Sequence, residues 1–127
     1  MRIDRLDHLV LTVADLDATI GFYAGVLGMR EVTFGDGRKA LEFGASKINL
    51  HEAGHEFEPK ADKAVPGSAD LCFITEDSLD DVIATLAGNG VEILEGPVGR
   101  TGARGPIRSV YVRDPDGNLV EISNYVA

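Results

Sequence analysis

Two stretches of this 127-residue chain repeat one another. HLVLTVADLDATI, starting at His8, aligns with DLCFITEDSLDDVI, starting at Asp70, so that His8 falls opposite Asp70. Each passes from strand-like alternation to apolar residues at helical spacing. A strand and a helix repeated in this way bury the helix-facing side of a sheet in each copy and leave the opposite faces to make a shared concavity. The repeat therefore predicts an α+β fold of tandem modules.

In the first module, Leu9, Leu11 and Val13 take one strand face and His8, Val10 and Thr12 the other. A helix follows, with Asp15 as its N-cap, an apolar stripe of Leu16, Ile20, Tyr23 and Leu27, and Gly28 as its stop. Strands are predicted at Arg30 to Phe34, Arg38 to Phe43 and Lys47 to His51, with Gly-containing turns between them. Glu52 to Ala69 carries prolines, glycines and mixed charge, the composition of a long connection. The second module has a strand in ADLCFITED and a helix in SLDDVIATLAGNGV, where Ser78 and Asp81 have capping-box spacing. Strands at Val91 to Leu94, Ile107 to Arg113 and Asn118 to Ser123 complete it, and GRTGARGPIRSVY reads as a Gly-rich loop running into a strand. The expectation is one domain of two βαβββ modules, about 4–51 and 69–125, joined by a linker at 52–68.

The chain is 44% hydrophobic and 26% charged, proportions of a folded globular domain. No apolar run approaches a membrane span and the N-terminus lacks the apolar core of a signal peptide, so a cytoplasmic location is expected. Cys72, in an apolar strand-like run, is expected to be a small buried thiol. A net charge of −9 argues against nucleic acid or an anionic membrane as partner, because phosphate binding relies on Lys and Arg. Arg100, Arg104, Arg108 and Arg113 nevertheless occur with no acidic residue between the first and the last, which allows a local anion site.

The predicted inner face carries His8 and Asp70 on the first strand of each module, and His51 with Asn49, and Glu121, on the last. Imidazole and carboxylate donors from four strands suit a divalent first-row metal if the strands are neighbours. Each residue has a plainer reading: His8 as a hydrogen-bonded core histidine, Glu121 as an edge-strand charge, Asp70 as a strand initiator, His51 as an exposed strand end. Their joint appearance at equivalent ends of the repeat favours the metal.

DHLVLTVADLDATIGFYAGVLGM together with SVYVRDPDGNLVEI resembles the vicinal oxygen chelate superfamily, which includes glyoxalase I, bleomycin-binding proteins, fosfomycin-resistance enzymes and extradiol dioxygenases. RKALEFGASKINLHEAG, FEPKA and PGSADLCFIT are similar to the small glyoxalase-domain-containing, lactoylglutathione lyase-like proteins. The resemblance implies tandem βαβββ modules forming a curved mixed sheet around a metal site, holding one zinc, nickel, cobalt, manganese or iron ion. It makes His8 and Glu121 the first and last ligands, puts Asp70 where many members have a histidine, and puts Asn49 at a fourth ligand position. His51 would be a ligand displaced along the strand or a substrate contact. The implied activity is that of a lyase or isomerase stabilising an enediolate, with Glu121 as base and Asp70 as the other candidate, and with Asn49, Arg104, Arg108 and Tyr111 against the substrate. The implied partners are a small molecule, such as a glutathione or other thiol adduct, and a second copy of the chain in a homodimer. Other activities in the superfamily are metal-dependent dioxygenation, antibiotic-modifying thiol transfer, and metal-free binding of a small molecule.

Overall fold

The computed structural model describes residues 1–126 and divides into two compact units, Met1–Ser68 and a second beginning at Ala69. In the first unit, β1 (His8–Val13), β2 (Arg30–Phe34), β3 (Arg38–Phe43) and β4 (Ser46–Glu52) form a sheet in the order β1-β4-β3-β2. β1 runs parallel to β4 and the other pairs are antiparallel. α1 (Leu16–Ile20) starts where Asp15 Oδ1 accepts the Ala18 amide at 3.1 Å. The helix continues as expected, but over Gly21–Val26 it widens to a π turn, closed by Leu27 N donating to Phe22 O, five residues back, at 3.1 Å. Gly28, at a φ of 78°, takes the left-handed conformation that ends it. Leu11, Val13, Phe22, Tyr23, Leu41, Ile48 and Leu50 are buried.

In the second unit, β5 (Asp70–Ile74), β6 (Glu95–Gly102), β7 (Gly105–Arg113) and β8 (Leu119–Tyr125) repeat this plan in the order β5-β8-β7-β6, with β5 parallel to β8. α2 (Leu79–Gly88) begins at Ser78, whose Oγ accepts the Asp81 amide at 3.2 Å. Leu86, Val110, Val112 and Val120 are fully buried. The class is α+β, with one mixed four-stranded sheet in each unit. Among the described residues no helix is long and apolar enough to cross a membrane.

Two local expectations are overturned. Val91 to Leu94 precedes the sixth strand instead of forming it, and the Gly-rich stretch is β6, a tight turn and the start of β7. β6 is mostly exposed, so its pairing to β7, and not burial of a side-chain face, keeps it extended.

The Asp114-Pro115-Asp116-Gly117-Asn118 turn between β7 and β8 is closed by buried side chains. Asp114 Oδ1 accepts from the Asp116 and Asn118 amides at 2.9 Å each, and Asp114 Oδ2 accepts from Asn118 Nδ2 at 2.7 Å. Asn118 Oδ1 in turn accepts the Ala69 amide at 2.8 Å, tying the entry of β5 to the entry of β8.

Candidate functional site

Strand register decides which polar residues are neighbours. Asn49 pairs with Val10, two residues beyond His8, just as Glu121 pairs with Cys72, two residues beyond Asp70. Paired residues share a sheet face, so His8 with Asn49 and Asp70 with Glu121 form the same diagonal in the two units. The counterpart of Glu121 is therefore Asn49. His51 pairs with Thr12, four residues from His8, which is about 13 Å along the strand. The sheet does not bring His51 to His8.

His51 has other neighbours. It is 4% exposed, its Nε2 lies 3.4 Å from an Arg38 terminal nitrogen, and its ring meets Phe57 edge-on at 5.4 Å. Arg38 also lies over the rings of Phe34 and Phe57, at 5.0 and 4.6 Å, so part of the connection expected to be a plain linker folds back onto its own unit. Because Arg only donates, Nε2 accepts and the ring proton sits on Nδ1. Burial, and then the charge of Arg38, push His51 below the ordinary imidazole value.

His8 is exposed, and its Nδ1 contacts Asp7 Oδ2 at 2.8 Å, a hydrogen bond that lowers the Asp7 carboxyl below its usual range. This orients the ring and leaves Nε2 for a ligand. Asn49 is buried, and its Oδ1 has no hydrogen-bond partner. A buried amide oxygen left unpaired costs on the order of 1–3 kcal/mol, so this atom is suited to a bound group.

The second unit contains a cavity of about 390 Å³ whose walls include Cys72, Arg100, Tyr111 and Glu121 together with the apolar Ile74 and Ile107. Glu121 Oε2 accepts from Ser109 Oγ at 2.5 Å, Ser109 Oγ lies 2.6 Å from Ser123 Oγ, and Ser123 Oγ lies 3.5 Å from Cys72 Sγ. Across the sheet Tyr111 pairs with Glu121, and Arg100 Nε donates to Tyr111 Oη at 3.0 Å. Burial pushes the Tyr111 phenol up, and the Glu121 charge adds to that rise. Cys72 corrects the expectation of a buried thiol: the residue is exposed and on the cavity wall, because it takes the Glu121 face of β5. Partial shielding of its sulfur raises the thiol pKa, and Glu121 and Asp70 raise it further.

The two arginines expected against the substrate lie elsewhere. Arg104 is exposed in the β6–β7 turn, where its backbone amide donates to Tyr125 Oη at 3.1 Å. Arg108 pairs with Gly99 and Asn124, and strand alternation puts it on the face opposite Ser109, Tyr111 and Glu121. Arg100, which belongs to the acid-free arginine run but was not among the expected substrate contacts, is the arginine on the cavity wall. The β6–β7 register pairs Arg100 with Ile107, on the face of β7 that also carries Ser109 and Tyr111.

Among the described residues, no group of three or more His, Cys, Asp or Glu side chains is arranged to hold an ion. Each unit instead offers a diagonal pair, one nitrogen and one oxygen donor from His8 and Asn49 and two carboxylates from Asp70 and Glu121. The unpaired Asn49 oxygen, standing where the other unit has a carboxylate, gives the first unit a nitrogen and oxygen pair of the kind a divalent first-row cation accepts.

Comparison with known proteins agrees with this architecture. The chain is 62% identical over 126 residues to virulence protein STM3117 of Salmonella typhimurium, covering 99% of this chain and 88% of that protein. The crystal structure of that protein matches with a TM-score of 0.97, covering 99% of this chain and 100% of the other. The glyoxalase domain-containing protein RDO1 of Mycosarcoma maydis is 58% identical, covering 98% of this chain and 70% of that protein. A lactoylglutathione lyase from Agrobacterium tumefaciens shares the fold at 23% identity, with a TM-score of 0.73 and coverage of 98% and 96%. Residues 5–122 match the family model, and the chain belongs to the Glyoxalase/Bleomycin resistance protein/Dioxygenase superfamily.

Proposed function

We propose that this protein is a metal-dependent glyoxalase-like lyase or isomerase acting on a small substrate with vicinal oxygens. The observation that carries the reading is the matched diagonal, His8 with Asn49 and Asp70 with Glu121, set by identical register in the two sheets. His8 and Asn49 in the first unit, and Asp70 and Glu121 in the second, would each serve as ligands to a divalent cation. When bound, the cation supplies Lewis-acid stabilisation of negative charge on the substrate oxygens.

The chain's own residues supply the proton chemistry. The Glu121 carboxylate takes a proton from one carbon and returns it to the adjacent one, and the Ser109 hydroxyl, donating to Glu121 Oε2 at 2.5 Å, fixes its orientation. Tyr111 stands on the wall beside Glu121, and Ile74 and Ile107 give that wall an apolar part.

The test is metal analysis of protein purified without a histidine tag, followed by a hemithioacetal isomerisation assay with zinc, nickel, cobalt and manganese in turn. About one metal per chain and activity lost on chelation support the reading. Protein that binds no metal, or turnover indifferent to chelation, overturns it.

A further inference from the structure

We propose that Arg100 forms an anion subsite that selects substrates bearing a carboxylate remote from the vicinal oxygens, an inference that rests on the cavity of the second unit being the substrate pocket.

Among the described wall residues Arg100 is the one cation. Its bonds use one N–H on each guanidinium nitrogen: Nε to Tyr111 Oη at 3.0 Å, one terminal nitrogen to Gly99 O at 2.9 Å, and the other to Glu95 Oε1 at 3.3 Å. A guanidinium carries five N–H donors, so each terminal nitrogen keeps one for an incoming group. The bonds to Tyr111 and to the backbone hold the fork in place before a ligand arrives, and the ring of Tyr111 lies under it, 5.4 Å from the guanidinium carbon.

The counter-ion is weakly committed. The Arg100 and Glu95 side chains are 40% and 58% exposed, and a solvated pair of this kind is readily exchanged for a better-placed carboxylate. A chain of net charge −9 repels anions at long range, so a pre-oriented cation inside its cavity is the feature that would admit one. Tyr111 stands between the two ends of the pocket, hydrogen-bonded to Arg100 on one side and paired with Glu121 on the other. A cavity of about 390 Å³ with Ile74 and Ile107 in its walls leaves room for a short apolar body between carboxylate and vicinal oxygens. Guanidinium suits a carboxylate through paired, charge-assisted bonds, which Gln cannot supply and Lys supplies only as a point charge.

The probes are 3,4-dihydroxybenzoate, which has vicinal oxygens and a remote carboxylate, and its neutral methyl ester, titrated calorimetrically into the metal-loaded protein. The acid is expected to bind about 10-fold more tightly than the ester, and Arg100→Gln is expected to erase that preference while leaving ester affinity within about 2-fold. Glu95→Gln, which releases Arg100 from its ion pair, is expected to strengthen acid binding by about 2- to 5-fold. Equal binding of acid and ester by the wild type, a preference that survives in Arg100→Gln, or weaker acid binding in Glu95→Gln overturns the subsite. The same titration in chelator-treated protein separates this inference from the proposed function: a retained acid preference in protein that takes up no metal keeps the subsite and removes the metal chemistry.

Discussion

The Ser109 hydroxyl lies 2.5 Å from Glu121 Oε2 and 2.6 Å from Ser123 Oγ, so one buried side chain on β7 orients the carboxylate of β8. Ser109→Ala removes a donor to a charged acceptor and is expected to cost about 2 kcal/mol of stability. Urea unfolding of the variant against wild type checks the stability. A lower kcat with KM little changed would show that the carboxylate has lost its orientation.

Metal retention is expected to follow the two diagonals. His8→Ala, Asp70→Ala and Glu121→Ala should each lower metal affinity by about 100-fold, and Asn49→Ala by about 10-fold, since a neutral amide is the weaker ligand. His51→Gln should leave metal content unchanged. Equilibrium dialysis with elemental analysis reads all five.

Glu121→Gln keeps the size of the side chain and removes its basicity, so kcat should fall by about 10²- to 10⁴-fold. Single-turnover measurements on the metal-loaded variant distinguish a slower proton transfer from slower product release.

His51 gives the fold a pH dependence of known sign. Its folded pKa lies below the unfolded value of 6.5, so the unfolded chain binds more protons in mild acid. The contribution is full above pH 6.5 and is lost as the pH falls through the lower folded value. Melting temperatures measured from about pH 7.5 to 5 should decline for wild type and decline less for His51→Gln.

Gly96→Ala should be the most damaging small substitution near the site. Gly96 sits at a φ of +113°, and a Cβ there would collide with the Ser109 carbonyl oxygen and stand 2.9 Å from Val110 Cα. The expected loss is about 3 kcal/mol from strain and overpacking together, measured by denaturant unfolding. Because the clash falls on Ser109, ligand binding in the cavity should weaken as well.

Much of this architecture was legible in the sequence because its local signals agree with its packing. β2 and β3 fall where alternation and Gly-containing turns put them, and the caps at Asp15 and Ser78 accept the expected amides. β6 was illegible because EGPVGRTG lacks apolar alternation and owes its extended form to its partner, a non-local cause. For the same reason the arginine run allowed an anion site without showing that Arg100 is the member on the cavity wall. Cys72 was misread because an apolar run does not say which strand face stays open. His51 shares a face with Asn49, and only the parallel register with β1 shows that it lies too far along the strand from His8.

The clasp among Asp114, Asn118 and the Ala69 amide bears on the two acids of the second unit. Strands that run side by side in parallel have no hairpin to stop them sliding, and here a neutral side-chain amide is the pin. Asp70 follows Ala69 directly, and Glu121 lies three residues beyond Asn118, so slippage at the pin would misalign both carboxylates at once. Asp-Pro-Asp-Gly-Asn is thus a mechanical stop that holds in register the two strands carrying those charges.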